Sequence, residues 1–152
     1  MKFAIISDSH DNFANLTKAL NWIKKEKIEL VLHCGDICRQ ETMDDALKMF
    51  ENIKFVRGNG DHDLEDVPLE MELLLDNKKV FFNHYPEIAK KAAKSGNYDL
   101  VFYGHTHKPW EETIGKCKLV NPGELAGQRY KPCFATYDTQ TDKLELKILE
   151  RL

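Results

Sequence analysis

The sequence Phe3-Ala4-Ile5-Ile6-Ser7-Asp8-Ser9-His10 indicates the fold class of the chain. An apolar run of strand length ends abruptly in polar residues, which is typical of a strand buried on both faces. The pattern returns twice, at 29–36 and at 53–61, where short apolar runs end in Gly-Asp and in Gly-Asn. Three such strands predict a sheet whose polar strand ends share one edge.

Helices are predicted between these strands. Phe13, Leu16, Leu20 and Ile23 recur at helical spacing, and residues 42–50 show a second apolar face that begins at Thr42 as the predicted cap. The order β-α-β-α-β is the signature of a mostly parallel sheet covered on both faces.

The second half of the chain is predicted to be rich in strands. Residues 69–75 and 79–83 read as a hairpin, and Pro86 starts a short helix that ends near Lys94. Further strands are predicted at 99–103, 110–114, 118–120, 134–138 and 144–149, the last four of them antiparallel. We therefore expect two packed sheets with helices outside, in a single α/β layered domain over residues 1–152.

Composition limits the partners of the protein. The net charge of −3 disfavours long nucleic acid, because proteins that grip polyanions by charge are normally basic. No apolar run approaches the roughly 20 residues that span a bilayer. The four cysteines lack C-x-x-C spacing and are expected to be small buried hydrophobic residues. We expect a cytoplasmic protein without a membrane partner.

A second informative stretch is Val101-Phe102-Tyr103-Gly104-His105-Thr106-His107. An apolar strand ends in glycine, and two histidines follow at alternate positions. In an extended segment they would project to the same side, where they could bind one metal or simply lie on the surface.

Polar side chains at the predicted strand ends supply seven oxygen or nitrogen donors: Asp8, His10, Asp36, Asn59, His84, His105 and His107. In open α/β sheets, ligands bind at the carboxyl ends of the strands, so these residues can converge. Seven donors suit two metals, each with an open position, better than one. Asp36 is the predicted bridging ligand, because it follows the middle of the three early strand ends.

The donor set also restricts the metal. It contains no thiolate, and imidazole with carboxylate suits Mn, Fe, Ni or Zn and is too rich in nitrogen for Mg or Ca. Among the four we favour Mn or Ni.

These motifs and their order resemble the calcineurin-like metallophosphoesterases, especially the small archaeal and bacterial phosphodiesterases of that superfamily. The matching blocks are Asp8-Ser9-His10, Gly35-Asp36, Gly58-Asn59 with Asp61, His84, Gly104-His105-Thr106-His107 and Asn121-Pro122-Gly123. The resemblance implies a four-layer α/β/β/α sandwich of two mixed sheets with a dinuclear centre. It places Asp8, His10 and His107 on one metal, Asn59, His84 and His105 on the other, and Asp36 between them.

The implied reaction is hydrolysis of a phosphodiester. A hydroxide shared by the metals would attack phosphorus in line with the leaving oxygen. Asn59 would also donate its amide hydrogens to a phosphoryl oxygen. Arg129 stands where relatives often keep an arginine, and would contact either substrate phosphate or a carboxylate at a subunit contact.

The chain departs from its relatives at several positions. Many relatives carry a histidine where this chain has Gly60, and that histidine is thought to protonate the leaving group. His62 is the candidate substitute, or else an exposed loop residue. Tyr85 follows His84 where glycine is usual, and Glu124 follows the Asn-Pro-Gly block where serine is usual.

Three rival functions stay open. The same fold serves as a non-catalytic scaffold in the eukaryotic retromer complex, where the metal ligands are degraded, whereas all seven donors persist here. A nuclease is disfavoured by the acidic charge balance, and a phosphomonoesterase is compatible with the same donors. A small phosphodiester substrate is preferred, and the β-rich second half offers a sheet edge for a homodimer or a higher homo-oligomer.

Overall fold

The computed structural model describes all residues from 1 to 152. Three α-helices are present: α1 (Phe13–Lys25), α2 (Gln40–Met49) and α3 (Pro86–Lys94). None of the three is long and apolar enough to cross a membrane. A 3₁₀ turn at Leu149–Arg151 replaces the end of the strand predicted at 144–149.

Ten strands form two mixed sheets of five. The first sheet has the order β10-β9-β1-β2-β3, with β1 (Lys2–Ile6), β2 (Leu30–His33), β3 (Ile53–Phe55), β9 (Cys133–Asp138) and β10 (Lys143–Ile148). The second has the order β4-β5-β6-β8-β7, with β4 (Glu70–Leu75), β5 (Lys78–Asn83), β6 (Leu100–Phe102), β7 (Trp110–Ile114) and β8 (Cys117–Asn121).

Both sheets combine parallel and antiparallel pairs. β1, β2 and β3 are parallel neighbours, and β9 and β10 extend that sheet in the antiparallel sense. In the second sheet β8 is antiparallel to β7 but parallel to β6, so the prediction that 118–120 is antiparallel was only half right. Alternating polarity alone does not reveal which neighbour a strand has across a long connection.

The core divides into three apolar layers, which confirms the four-layer α/β/β/α sandwich. Side chains of β1 show the division: Ala4 and Ile6 pack toward α1 and α2, whereas Phe3 and Ile5 pack toward the second sheet. A third cluster lies between the second sheet and α3. Alternate residues of a strand point to opposite faces, so one apolar strand serves two layers.

Helix α2 corrects one sequence prediction. It begins at Gln40 with Arg39 at the N-cap position, and no side chain caps it there. Thr42 lies inside the first turn, where its hydroxyl donates to Oδ1 of Asp11 at 2.6 Å. The threonine therefore ties the helix to the loop after β1 instead of starting the helix.

Candidate metal centre

The seven predicted donors lie together at one edge of the sandwich, where β1, β2, β3, β5 and β6 end. Backbone hydrogen bonds continue beyond the strands and hold the loops in register: the nitrogen of Asp8 donates to the carbonyl of Gly35, and that of His10 to the carbonyl of Asp36. The loops after β1 and β2 thus place their polar side chains side by side.

The loops at this edge have an unusual backbone. Eleven residues other than glycine have a positive φ, and seven of them are Asp8, His10, Asp11, Asp36, Cys38, His105 and His107. Such angles are uncommon outside glycine and cost energy that the surrounding structure must supply. Their concentration here fits a site that needs its side chains aimed at fixed points.

Gly104 lets the loop after β6 approach the loop after β1. A Cβ atom at this position would collide with the Ser7 hydroxyl and with the Asp8 carboxylate. The close approach allows the backbone nitrogen of His105 to donate to Oδ2 of Asp8 at 3.1 Å. Glycine is therefore required here for space and not for a turn.

The first group of donors contains Asp8, His10 and His107. Oδ1 of Asp8 lies 3.2 Å from Nε2 of His107 and 3.5 Å from Nε2 of His10. Oδ1 of Asp8 and Nε2 of His10 are buried and make no hydrogen bond. Buried polar atoms rarely lack a partner, and a cation between the three side chains would supply one. The donor set therefore fits a divalent metal.

The second group contains Asn59, His84 and His105. Oδ1 of Asn59 lies 2.9 Å from Nε2 of His84 and 3.0 Å from Nδ1 of His105, and the two ring nitrogens are 3.3 Å apart. His84 is fully buried, and its Nδ1 lies 2.8 Å from the carbonyl oxygen of Cys34. A carbonyl only accepts, so Nδ1 carries the proton and Nε2 is free to bind a metal.

Asp36 lies between the two groups. Its Oδ2 atom is 3.4 Å from Nε2 of His10 and 3.4 Å from Nε2 of His84. Its Oδ1 atom accepts a hydrogen bond of 2.7 Å from the backbone nitrogen of Gly60. The triads Asp8, His10, His107 and Asp8, Asp36, His84 each place their donor atoms within 4.8 Å of one another.

The two histidines of the 101–107 stretch belong to different groups. Both have left-handed backbone angles, with φ of 70° at His105 and 64° at His107, so the segment is not extended. The prediction that they project to one side was therefore wrong. Alternation applies only to extended backbone, and this loop turns between them.

Electrostatics at the site favour charged forms. Burial opposes ionisation of Asp8, but the adjacent imidazoles of His10 and His107 outweigh it and hold the pKa of Asp8 below its usual range. The carboxylate of Asp8 in turn raises the pKa of His10 to about 10. Burial also opposes ionisation of Asp36 and His84, but each stabilises the charged form of the other. The pKa of Asp36 is therefore lowered and that of His84 is raised. The two carboxylates and the neighbouring histidines therefore stabilise one another's charged forms.

The remaining predicted residues lie outside this cluster. His62 is exposed, and only its backbone carbonyl is engaged, by the guanidinium of Arg57 at 3.3 Å. Arg129 is also exposed, and its backbone nitrogen donates to Oε1 of Glu124 at 2.9 Å. The structure does not bring either side chain onto the metal donors.

Several residues around the donors had no assigned role. Glu124 is fully buried and contacts Nδ1 of His107. Tyr85 places its ring 5.2 Å from the ring of His84 and 5.8 Å from that of His105. The only sign of a role in the sequence is that Tyr85 and Glu124 stand where relatives usually have glycine and serine.

Cys38 corrects the prediction that all four cysteines are buried hydrophobic residues. Cys34, Cys117 and Cys133 are buried, but Cys38 is half-buried with its Sγ atom 3.7 Å from Nδ1 of His10. All four thiols are free.

Comparison with known proteins identifies the family to which the sequence is similar. Residues 1–142 match the family model of the calcineurin-like phosphoesterase superfamily domain. Phosphodiesterase MJ0936 of Methanocaldococcus jannaschii is 31% identical over 99% of this chain and 100% of its own.

Solved structures of other proteins share the fold of this chain. An archaeal phosphodiesterase superposes with a TM-score of 0.87 at 28% identity, covering 97% of this chain and 99% of its own. Vps29 of Chaetomium thermophilum superposes with a TM-score of 0.80 at 17% identity, covering 97% and 94%, which is a likeness of fold alone.

Proposed function

The chain belongs to the calcineurin-like phosphoesterase superfamily and is a phosphoric ester hydrolase, and from this premise we propose that it is a phosphodiesterase with a dinuclear metal centre. The observation that carries the proposal is the position of Asp36. A single carboxylate oxygen lies 3.4 Å from a histidine of each donor group, and this supports the proposal that two cations would share it.

Seven side chains would hold the metals. Asp8, His10 and His107 would bind one ion, and Asn59, His84 and His105 the other, with Asp36 shared. Imidazole and carboxylate donors suit Mn, Ni, Fe or Zn, and we favour Mn or Ni. When bound, such ions supply an activated water as nucleophile and neutralise charge on the phosphoryl oxygens.

The protein's own residues would orient the substrate. Asn59 directs its Oδ1 atom at His84 and His105, and its amide nitrogen makes no hydrogen bond within the protein. That nitrogen is available to donate to a phosphoryl oxygen of the substrate. Arg129 is proposed as a second, more distant phosphate contact, because its guanidinium is exposed on the loop whose Glu124 contacts His107.

We propose a small diester as substrate and the cytoplasm as compartment. The net charge of −3 argues against binding to long nucleic acid, since phosphate contacts along a polymer need many cationic side chains. Four free thiols suit a reducing compartment.

A metal add-back assay tests the proposal. The protein is stripped with chelator, given Mn, Ni, Fe, Zn or Mg singly, and assayed on a chromogenic phosphodiester and on the matching monoester. Asp36→Ala removes the shared carboxylate, and Asp63→Ala is the matched control, because Asp63 is an exposed carboxylate in the neighbouring loop.

We expect turnover with Mn or Ni in the wild type and in Asp63→Ala, none in Asp36→Ala, and a higher rate on the diester. A higher rate on the monoester would make the protein a phosphomonoesterase. Absence of metal-dependent turnover in the wild type would contradict an enzyme and favour the scaffold function.

A further inference from the structure

Glu124 is a buried carboxylate with one oxygen hydrogen-bonded to backbone nitrogens and the other against the ring of His107. Oε1 accepts from the backbone nitrogen of Arg129 at 2.9 Å and from that of Tyr130 at 3.4 Å. Oε2 contacts Nδ1 of His107. The side chain is fully buried, so water does not compete for these contacts. Glu124 therefore connects the loop after β8 to one of the candidate metal ligands.

The contact determines which nitrogen of His107 is free. A carboxylate only accepts, so its contact with Nδ1 of His107 favours the tautomer in which that nitrogen carries the proton. Nε2 then points at Oδ1 of Asp8, 3.2 Å away, beside His10. This is the arrangement in which a carboxylate orients a metal-binding histidine and increases its basicity.

We propose that Glu124 is a positioning residue that fixes the tautomer and orientation of His107 for a metal at the Asp8–His10–His107 group. The inference rests on the proposed function, because it requires that this group binds metal. It goes beyond that function by giving a role to a residue that stands where relatives usually have serine.

The geometry explains why glutamate is needed. All three partners of the carboxylate are donors, so a glutamine must turn its NH₂ group toward one of them. If that group faces His107, the ring must shift its proton to Nε2 and can no longer bind metal through that atom. If it faces Arg129 and Tyr130, their nitrogens lose their acceptor. A serine is too short to serve both ends.

Substitution of Glu124 would also weaken metal binding if it merely loosened the loop that carries it. Asn15→Ala is the matched control for that effect. The side-chain amide of Asn15 donates to the carbonyl of Leu125 at 2.6 Å, next to Glu124, without contacting His107. Removing it weakens the attachment of the same loop to α1, which Asn12 also holds at the carbonyl of Ala126, and leaves the His107 contact in place.

The experiment is a calorimetric titration of chelator-stripped protein with Mn²⁺. The proteins compared are the wild type, Glu124→Gln, Glu124→Asp, Asn15→Ala, His107→Ala and the Glu124→Gln/His107→Ala double variant. We expect Glu124→Gln to weaken one of two binding events about 10–100-fold, the range for outer partners of metal ligands. Glu124→Asp should be affected less and Asn15→Ala not at all. In the His107→Ala background, Glu124→Gln should cause no further loss, since residues that act through one another are not additive.

Three results would overturn the inference. Equal Mn²⁺ affinities of the wild type and Glu124→Gln would overturn the inference and leave the proposed function standing. The same would follow if Glu124→Gln weakened binding as much in the His107→Ala background as in the wild type. A wild type that takes up no metal would overturn the proposed function as well. If Glu124→Gln does not fold, Glu124→Asp and its double variant with His107→Ala decide the question by the same comparison.

Discussion

Oδ2 of Asp61 accepts a hydrogen bond of 2.9 Å from the backbone nitrogen of Asp36. The same carboxylate accepts from the nitrogens of Gly58 at 2.7 Å and Cys38 at 2.6 Å, and it is 1% exposed. One buried side chain thus holds the loops after β2 and β3 together, and with them Asp36 and Asn59.

Replacing Asp61 with alanine should destabilise the protein. Two buried backbone N–H groups and the partly buried one of Cys38 would lose their acceptor, at about 1–3 kcal/mol for each buried group, and we expect a total loss of roughly 3 kcal/mol or more. Urea unfolding in the presence of chelator measures the loss without a contribution from metal. Asp63→Ala, an exposed neighbour, should stay within about 0.5 kcal/mol of the wild type. An equal effect of both variants would show that the Asp61 contacts contribute nothing specific.

Metal stoichiometry should separate the two donor groups. His10→Ala should lose one of two bound ions and His84→Ala the other, because each histidine belongs to a different group. Asp36→Ala should lose both, since its Oδ2 atom faces both groups. Elemental analysis after desalting gives the count directly. Loss of a single ion in Asp36→Ala would mean that this carboxylate serves only one group.

His62→Ala should leave catalysis nearly intact. The side chain is exposed and makes no hydrogen bond or ion pair with a metal donor, so nothing holds it in position to protonate a leaving group. Loss of a true general acid costs about 10²–10⁴-fold, mainly on poor leaving groups. The measurement compares kcat for a nitrophenyl and an alkyl diester in the two proteins. A selective loss on the alkyl ester of about 100-fold or more would restore His62 as the general acid.

The sequence predicted the layers and the candidate donors better than it predicted loop geometry. Strands such as Phe3–Ile6 are apolar on both faces, and that property forces a buried position whatever the rest of the chain does. The direction of β8 relative to β6 was not predictable in the same way, because it depends on a pairing between distant segments.

Loop details depend on contacts that no local pattern contains. Thr42 has the composition of a cap, but the carboxylate of Asp11 from another loop takes its hydroxyl. Glu124 was visible only as an unusual residue, since its partner His107 is 17 positions away in the sequence and joined to it by tertiary structure.

Chelation should lower the melting temperature of the wild type. Each ion that binds the folded protein and not the unfolded chain adds about 2.7 kcal/mol at 100 times its Kd. For a domain of this size that corresponds to roughly 5–10 °C per ion, and the shifts of the two ions should add. Differential scanning calorimetry with saturating Mn²⁺ or with EDTA measures the shift, and Asp36→Ala should show little of it. A wild type indifferent to EDTA would argue that the cluster is not a metal site.

His33 should make stability depend on pH. Burial lowers the pKa of His33 to about 4, and the ring is held neutral by Ser9 Oγ at 2.9 Å from Nε2 and by the nitrogen of Gly35 at 3.2 Å from Nδ1. Between pH 6.5 and 4 the unfolded chain binds a proton that the folded protein does not, so stability is full above pH 6.5 and falls as the pH is lowered. The loss from this residue should be about 1–2 kcal/mol between pH 6.5 and 5.

The comparison with His33→Gln isolates this residue. Glutamine can still donate to Ser9 but does not titrate, so the variant should be less stable at pH 7 and lose less stability on acidification. Urea unfolding of both proteins in chelator at pH 7 and pH 5 gives the difference, in which the other histidines cancel. Parallel pH profiles would show that His33 is protonated in the folded protein as readily as in the unfolded chain, and that its burial does not keep it neutral.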